Sequence, residues 1–425
     1  MRYECTDRFV NGIEKVRFQA TVPGGVVAGN KSSSIEDRPL RIAYLSDLDP
    51  RLSWTYSGGN KRILESVKKF GDVTVLSSEW HAMEPVRRLL EKLPESLLLR
   101  SRFRTHMLLS RIISNGVRRE LARGQYDVLF ASYSFHSLLN LTPPYPITTV
   151  FTSDATQTIY KQSVVGRAHG SFFSPARLLD SWIEANERKV LRNTDLLLWP
   201  SEWMKRGADE RYGLSEEQSH LVPWGANIAM PPKDSISIEN PMDEEVNLLL
   251  VGRDWELKGG PTAVAVLDAL KARGIRARLT VIGCRVPDAD RRPELTDHGY
   301  LDKNVPEQRR IFDEAFRTAH FALIPSFESY GFAFCEASAH AIPSLCLNVG
   351  GVPVFNGVNG FALPVGSGPE DFVARIASLR DDAAQYSSLR ASSRQFYMET
   401  LNWGAWRKKV ESLIREKVSQ REARA

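Results

Sequence analysis

The sequence predicts an α/β protein built from two doubly wound domains with parallel sheets. Three observations predict it. The chain has 425 residues, more than one hydrophobic core usually supports. Each half carries short apolar runs alternating with helix-length segments, the pattern of buried parallel strands joined by crossover helices. A stretch rich in Pro, Asp and Glu, Pro231 to Glu245, separates the two series and reads as an interdomain linker.

The elements follow in order. Residues 1–38 read as a flexible N-terminal segment, because Lys31-Ser32-Ser33-Ser34 and Ile35-Glu36-Asp37-Arg38 are polar and aperiodic. Leu40 to Ser46 is an apolar run ending in a polar residue, as a buried parallel strand would. Ser57-Gly58-Gly59 forms a loop, a helix follows from Asn60 to Phe70, and Val73 to Leu76 completes a βαβ unit. Further strands are expected at Val128–Ala131, Ile147–Phe151, Leu196–Trp199 and His220–Val222, with a helix from Pro175 to Leu191. Residues 39–230 thus form an N-terminal domain.

The second series starts at Val246 to Gly252. Its first helix opens at Pro261, a favoured first helical position, and stops near Gly274. Strands are expected at Arg278–Ile282, Phe321–Ile324 and Ser344–Val349, with a helix from Phe332 to Ala341. Residues 231–399 form the C-terminal domain. In residues 400–425 a helix from Trp406 to Glu422 is expected to cross back to the N-terminal domain.

Composition excludes several classes. A net charge of +5 is too mild for a nucleic-acid binder, which concentrates basic residues more strongly. The four cysteines (Cys5, Cys284, Cys335, Cys346) are far apart without a Cys-x-x-Cys pair, and the eight histidines show no zinc spacing. Cysteines in apolar segments favour a reducing compartment. No apolar run has the length of a signal peptide or membrane span, so the expected location is cytoplasmic, and the basic stretch at 81–123 leaves peripheral contact at the inner membrane surface open.

Two segments carry chemistry. Gly252-Arg253-Asp254-Trp255-Glu256-Leu257-Lys258-Gly259-Gly260 lies between a strand and a helix, where ligands bind in open α/β sheets. Arg253 and Lys258 bracket a helix N-terminus, and two cations plus its free N–H groups suit a diphosphate. A solvated basic turn is the bland alternative. Glu328-Ser329-Tyr330-Gly331-Phe332-Ala333-Phe334-Cys335-Glu336 occupies the next such junction. Gly331 permits close backbone approach, and Glu336 sits one turn into the helix, leaning back towards its start. Two carboxylates there suit sugar and ribose hydroxyls, although glutamates also simply favour helix N-termini.

These motifs, Gly-Arg-x4-Lys-Gly-Gly and Glu-x7-Glu-Ala-x-Ala-x3-Pro, resemble those of the family 4 (group 1) retaining glycosyltransferases of the GT-B fold. Ser57-Gly58-Gly59, Trp199-Pro200-Ser201-Glu202-Trp203 and Val222-Pro223-Trp224-Gly225-Ala226-Asn227 resemble the same family. The resemblance implies two Rossmann-like domains facing a central cleft. It implies that Arg253 and Lys258 hold the donor diphosphate, that Glu336 binds the ribose and that Glu328 contacts the donor sugar. Tyr330 and the backbone of Gly331 and Phe332 would face sugar or phosphate. Gly58 and Gly59 would close over the phosphates, and Tyr300 and Leu301 would frame the base. The chain differs from the family pattern at Val354, where glutamate is usual, and at Ala341, where glycine is common. No histidine follows the strand at Ile147–Phe151. Asp154 is the candidate polar residue there, with helix capping as its alternative.

Asp47-Leu48-Asp49 and Asp288-Ala289-Asp290 match a short metal-binding pattern but lack a supporting ligand set, so no metal or cofactor is expected. Gly24-Gly25 and Gly29 lack a following helix. Residues 81–123 hold about ten basic residues among leucines, suited either to an anionic membrane surface or to a solvated helix flank. The expected activity is sugar transfer from a nucleotide-sugar donor to a saccharide or lipid-linked acceptor, in bacterial-type glycan or glycolipid synthesis. A nucleotide-sugar epimerase and a non-catalytic nucleotide-sugar or partner-binding protein are the alternatives.

Overall fold

The computed structural model describes residues 38–52, 55–76, 106–169, 179–239, 241–242 and 244–424. The N-terminal segment, Cys5, the early glycines and residues 81–105 of the basic stretch lie outside the described residues.

Among the described residues, two six-stranded, all-parallel sheets organise the chain. The first contains β1 (Leu40–Ser46), β2 (Gly71–Val75), β3 (Val128–Ser132), β4 (Thr148–Thr152), β5 (Leu196–Trp199) and β6 (Ser219–Leu221), in the order β2-β1-β3-β4-β5-β6. The second contains β7 (Val246–Val251), β8 (Ala277–Ile282), β9 (Leu295–Asp297), β10 (Phe321–Ile324), β11 (Ser344–Leu347) and β12 (Gly360–Leu363), in the order β12-β11-β10-β7-β8-β9. In its own numbering the second sheet runs 3-2-1-4-5-6, the Rossmann order. The fold class is the one expected, two Rossmann-like parallel sheets.

The helices used below are α1 (Gly59–Val67), α2 (Ser110–Leu121), α3 (Asp180–Arg192), α4 (Glu202–Tyr212), α5 (Gly260–Ala272), α6 (Pro306–Thr318), α7 (Phe332–Ala339), α8 (Pro369–Asp381), α9 (Ala383–Glu399) and α10 (Trp403–Glu422). Local chemistry sets their ends. Ser201 caps α4 by accepting from Met204 N at 3.2 Å, and Asn402 caps α10 by accepting from Ala405 N at 2.9 Å. Helix α10 starts three residues before the expected Trp406 because that cap is at Asn402. Helix α3 starts at Asp180, and residues 170–178, which include the expected start at Pro175, lie outside the described residues.

Strand β3 is buried on both faces, as the apolar run predicts for a central parallel strand. Beneath the first sheet, Leu197, Trp199, Met204, Ala208 and Tyr212 form part of one core. Val246, Leu248, Leu250 and Leu323 pack with Val264, Leu267 and Leu270 of α5 and with Phe372 and Ile376 of α8 in the other. Each such side chain contributes about 1.5–3 kcal/mol on burial. Helix α9 packs on α7, whereas α10 packs on α1, β4 and β5. Its buried stripe is Trp406, Val410, Ile414 and Val418, and Arg421 pairs with Asp195 at 2.8 Å. The last helix therefore returns to the first sheet.

The linker is held by α9, where the Arg390 guanidinium, 2% exposed, donates to the Ser237 carbonyl at 2.6 Å. Cys284, Cys335 and Cys346 are buried free thiols. His320 and His340 are buried too. Burial pushes their pKa values down to about 4 and about 3, so both rings are neutral.

Candidate active site

In an open parallel sheet, the loops after two adjacent strands diverge where the strand order reverses, and a crevice opens there. In the second sheet that point lies between β7 and β10, which are neighbours. The loops leaving those two strands are the Arg253–Gly260 segment and the Glu328–Phe332 segment. The motifs separated by some seventy residues in sequence thus meet because of strand order. In the first sheet the reversal lies between β1 and β3, and the loops carrying Asp47 and Tyr133 leave there.

On the C-terminal side, Gly252 is required by a close approach. A Cβ at that position would lie 2.1 Å from Lys258 Cγ, so glycine lets the lysine stem cross the loop. The Lys258 ammonium then pairs with Glu328, which also accepts from Ser326 Oγ at 3.1 Å. Gly331, with φ of 95°, precedes α7 and turns the chain into it. Glu336 lies in the second turn, with a side chain only 4% exposed, and pairs with Lys303 at 2.5 Å. Lys303 also stands 4.4 Å over the Phe312 ring. The Arg253 guanidinium stands 5.8 Å from the Tyr300 ring.

On the N-terminal side, Tyr56, Ser57 and Gly58 occupy the left-handed region in succession, with φ of 48°, 54° and 85°, immediately before α1. Tyr133 at the end of β3 is left-handed too, with φ of 58°. The Tyr56 and Tyr133 rings stack at 3.7 Å, and Tyr56 Oη donates to the Asp47 carboxylate at 2.6 Å.

Aromatic contacts join the two sides. Tyr133 lies 5.7 Å from Trp224, and Trp224 stacks on Phe332 at 5.7 Å with 8° between the planes. Tyr330 Oη donates to the Trp224 carbonyl at 2.7 Å, so its hydroxyl is engaged and the buried residue offers the cleft its ring. A Cβ on Gly59 would lie 2.5 Å from Phe332 Cζ. Asn227 Nδ2 donates to the Ser57 carbonyl at 2.8 Å. Asp154, after β4, accepts from Ser329 Oγ at 2.5 Å, another contact between the two sides. Burial raises the Asp154 carboxyl above the usual carboxylate range, opposed by the Ser329 hydrogen bond.

A cleft of about 620 Å3 runs between the sheets. Gly58, Asp154, Arg253, Lys258, Tyr300, Leu301, Glu328, Tyr330, Gly331, Phe332 and Glu336 all line it, and Gly59 lies against Phe332 at its edge. The expected site residues therefore converge. Lys61, Trp224, Asn227, Lys303 and Arg309 also line the cleft. Trp224 and Asn227 lay in a noted motif, but nothing local marks Lys61 or Arg309 as site residues. Beyond Tyr56, Tyr133, Asp154 and Ser329, which line both spaces, a second cavity of about 370 Å3 continues into the N-terminal side, with Asp47, His136 and Glu187 on its walls.

Val354 is buried and is not among the described lining residues. Among the described residues no three His, Cys, Asp or Glu side chains converge as metal ligands. Asp49 pairs with Arg51 at 2.8 Å, Asp288 with Arg291 at 3.1 Å, and Asp290 accepts from Trp255 Nε1 at 2.7 Å. The two Asp-x-Asp triplets are thus engaged in local structure.

Two family profiles match the chain: Glycosyltransferase Family 4 over residues 67–229 and Glycosyl transferases group 1 over residues 245–382. Among curated proteins, the chain is 27% identical over 265 residues to a D-inositol 3-phosphate glycosyltransferase of Kineococcus radiotolerans, covering 56% of this chain and 60% of that protein. It is 26% identical over 287 residues to a glycogen synthase of Mycobacterium tuberculosis, covering 63% of each. The match thus spans less than two thirds of either relative. Among solved structures, a sucrose-phosphate synthase from Thermosynechococcus elongatus superposes with a TM-score of 0.64 at 18% identity, over 89% of this chain and 100% of that one. Anabaena HepE in complex with UDP-glucose superposes with a TM-score of 0.55 at 12% identity, over 89% of this chain and 100% of that one. At these identities the superpositions establish the fold. With motifs from both halves converging on one cleft, and profiles matching both halves, the chain belongs to the family 4 and group 1 glycosyltransferases of the GT-B fold.

Proposed function

We propose that the chain transfers a hexosyl group from a nucleoside-diphosphate sugar to an acceptor hydroxyl, with retention of anomeric configuration. The observation that carries this reading is the meeting of Arg253 and Lys258 with Glu328 and Glu336 at the β7/β10 reversal. The donor diphosphate takes the place of Glu328 as partner of Lys258, and the released carboxylate accepts from a sugar hydroxyl. Arg253 and Lys258 stabilise the charge that develops on the diphosphate as the sugar leaves, so no metal is required. Glu336 accepts from the ribose hydroxyls. The acceptor enters through the second cavity, and Asp154 stands between the two spaces. Retention rests on the family resemblance. Closure of the two sides over the donor expels water and limits donor hydrolysis.

The test is nucleotide release from UDP-, GDP-, ADP- and dTDP-sugars without added metal. UDP-glucose comes first because a similar fold was solved with it. Release from one donor class is expected, falling roughly 100- to 1,000-fold in Arg253→Ala and Lys258→Ala. Absence of release, together with absence of nucleotide binding, would overturn the proposal. An isomeric sugar nucleotide as product would replace it with the epimerase reading.

The same proposal places the protein at the cytoplasmic face of a membrane, acting on a saccharide or lipid-linked acceptor. Helix α2 buries Ile113, Val117 and Leu121 and turns Arg111, Ile112, Arg118 and Arg119 to solvent. Leu108 and Ile112 are 68% and 46% exposed. Exposed apolar groups among arginines suit an anionic lipid surface. Co-sedimentation is expected with phosphatidylglycerol vesicles and to be lost in Arg118→Glu/Arg119→Glu. Binding no stronger than to phosphatidylcholine would remove this part.

A further inference from the structure

Six cationic side chains line the cleft among the described residues: Lys61, Arg62, Arg253, Lys258, Lys303 and Arg309. Four of them are paired. Arg62 pairs with Glu65 at 3.1 Å, Lys258 with Glu328, Lys303 with Glu336 at 2.5 Å and Arg309 with Asp313 at 2.9 Å. Lys61 and Arg253 have no carboxylate partner among the described residues, and they come from opposite sides of the cleft.

Lys61 also stands at the wrong end of its helix. It is the third residue of α1, whose first turn contains no acidic residue, and its N-cap Gly58 supplies no side-chain hydrogen bond. A cation beside unpaired helix N–H groups opposes the helix dipole. Such a breach of a local rule, half-buried in a cleft, is expected where a ligand supplies the compensating charge. The position is also fixed. The preceding Asn60 is fully buried, accepts from Tyr44 Oη at 2.7 Å and donates to Ser46 Oγ at 2.7 Å, tying the first turn of α1 to β1.

We propose that Lys61 is a diphosphate-binding residue supplied by the N-terminal side, which with Arg253 spans the cleft so that a nucleoside diphosphate ties the two sides together. This inference rests on the reading of the cleft as a nucleotide-sugar site and adds a residue outside the recognised motifs. It assigns to Lys61 the second negative charge, so the residue discriminates diphosphates from monophosphates of the same nucleoside. Because the bare lysine opposes the helix dipole, its removal does not weaken the unliganded fold.

The test is calorimetric titration of wild type and Lys61→Ala with UDP, GDP, ADP and dTDP and with the matching monophosphates, alongside thermal melts without ligand. Lys61→Ala is expected to weaken the preferred diphosphate roughly ten- to a hundred-fold. The monophosphate should change less than about threefold, and the unliganded melting temperature should stay the same or rise. Lys61→Arg, which keeps the charge, is expected to recover most of the affinity. Diphosphate affinity within twofold of wild type in Lys61→Ala would overturn the inference and leave the donor-site reading intact. Equal weakening of both nucleotide classes, or a lowered melting temperature that accounts for the loss, would also overturn it. A wild type that binds none of the nucleotides would overturn the donor-site reading, and this inference with it.

Discussion

Gly59→Ala probes the contact between the two sides of the cleft. Gly59 opens α1 without a left-handed φ, so alanine suits its backbone and favours the helix by about 0.5–1 kcal/mol. The new methyl carbon, however, would lie 2.5 Å from Phe332 Cζ and 3.0 Å from Cε2, well inside van der Waals contact. The Phe332 ring is stacked on Trp224 and packed edge-on against Tyr330 at 5.7 Å, so it cannot slide aside without disturbing both. Overpacking of this kind costs about 1–3 kcal/mol. Separating the two sides removes the clash, so the cost falls on the closed arrangement and not on either sheet. The expected outcome is donor-nucleotide affinity weakened roughly five- to a hundred-fold, with a melting temperature equal to wild type or slightly higher. Isothermal titration and differential scanning calorimetry measure the two quantities. Unchanged affinity would refute the argument, because the ring would then have room that the contact denies it. A fall in melting temperature matching the loss of affinity would refute it as well.

Glu336→Gln should weaken nucleoside diphosphate and monophosphate alike, by roughly ten-fold or more, since the loss is at the ribose end; an effect confined to the diphosphate would contradict the assignment. His340, buried against Phe316 with Arg394, Arg309 and Lys303 lowering its pKa further, is neutral in the fold. A depressed value means that its contribution is complete above about pH 6.5 and is lost as pH falls towards about 3, with about 2 kcal/mol gone between pH 7 and 5. His340→Leu should therefore melt progressively higher relative to wild type as pH is lowered, and parallel melting curves would argue against it. Ser57→Gly relieves a left-handed, exposed serine and is expected to stabilise the protein by about 0.5–1 kcal/mol, while Tyr133→Gly relieves similar strain but deletes a stacked ring and should destabilise it by about 2 kcal/mol or more. Chemical denaturation of both variants checks the opposite signs.

What could be read from the chain follows physical lines. Strands β3, β5 and β10 are buried along their whole length, and β1 and β7 are apolar runs interrupted only by Arg41 and Asn247 near their starts; all five were expected within a residue or two. Strands β9 and β12 were not expected. They are edge strands of three and four residues with partly exposed positions, too short for periodicity to register. Ala341 was noted where glycine is common, and its φ of 57° explains why. Its N–H bonds to Ser338 O at 3.1 Å and that of Ile342 to Ala337 O at 2.9 Å, the helix-ending turn whose central residue is left-handed. At the site, Arg253, Lys258, Glu328 and Glu336 were legible because each motif is local to one loop. The Trp224–Phe332 stack, the Gly59–Phe332 contact and the Asp154–Ser329 hydrogen bond were not. They join residues more than a hundred positions apart, and only the placing of one sheet against the other brings them together.

The two sides of the cleft meet the demand for left-handed backbone differently. The C-terminal side uses glycine at Gly259, Gly283, Gly331 and Gly350, where the conformation costs little and the loops follow from local sequence. The N-terminal side uses Gly58 but also Tyr56, Ser57 and Tyr133, and each of these three is disfavoured by about 1–2 kcal/mol. Glycine would remove that cost at the two tyrosines but would also remove their rings. Those rings stack on each other, carry the Tyr56 bond to Asp47 and form part of the wall shared by the cleft and the second cavity. The strain is therefore tied to a surface that both spaces need, and it is held by the aromatic chain running through Trp224 to Phe332. Since that chain exists only when the two sides are together, their approach and the shape of the wall between the cleft and the second cavity are one event. A substitution that loosens the chain on the donor side should alter acceptor use as well as donor affinity.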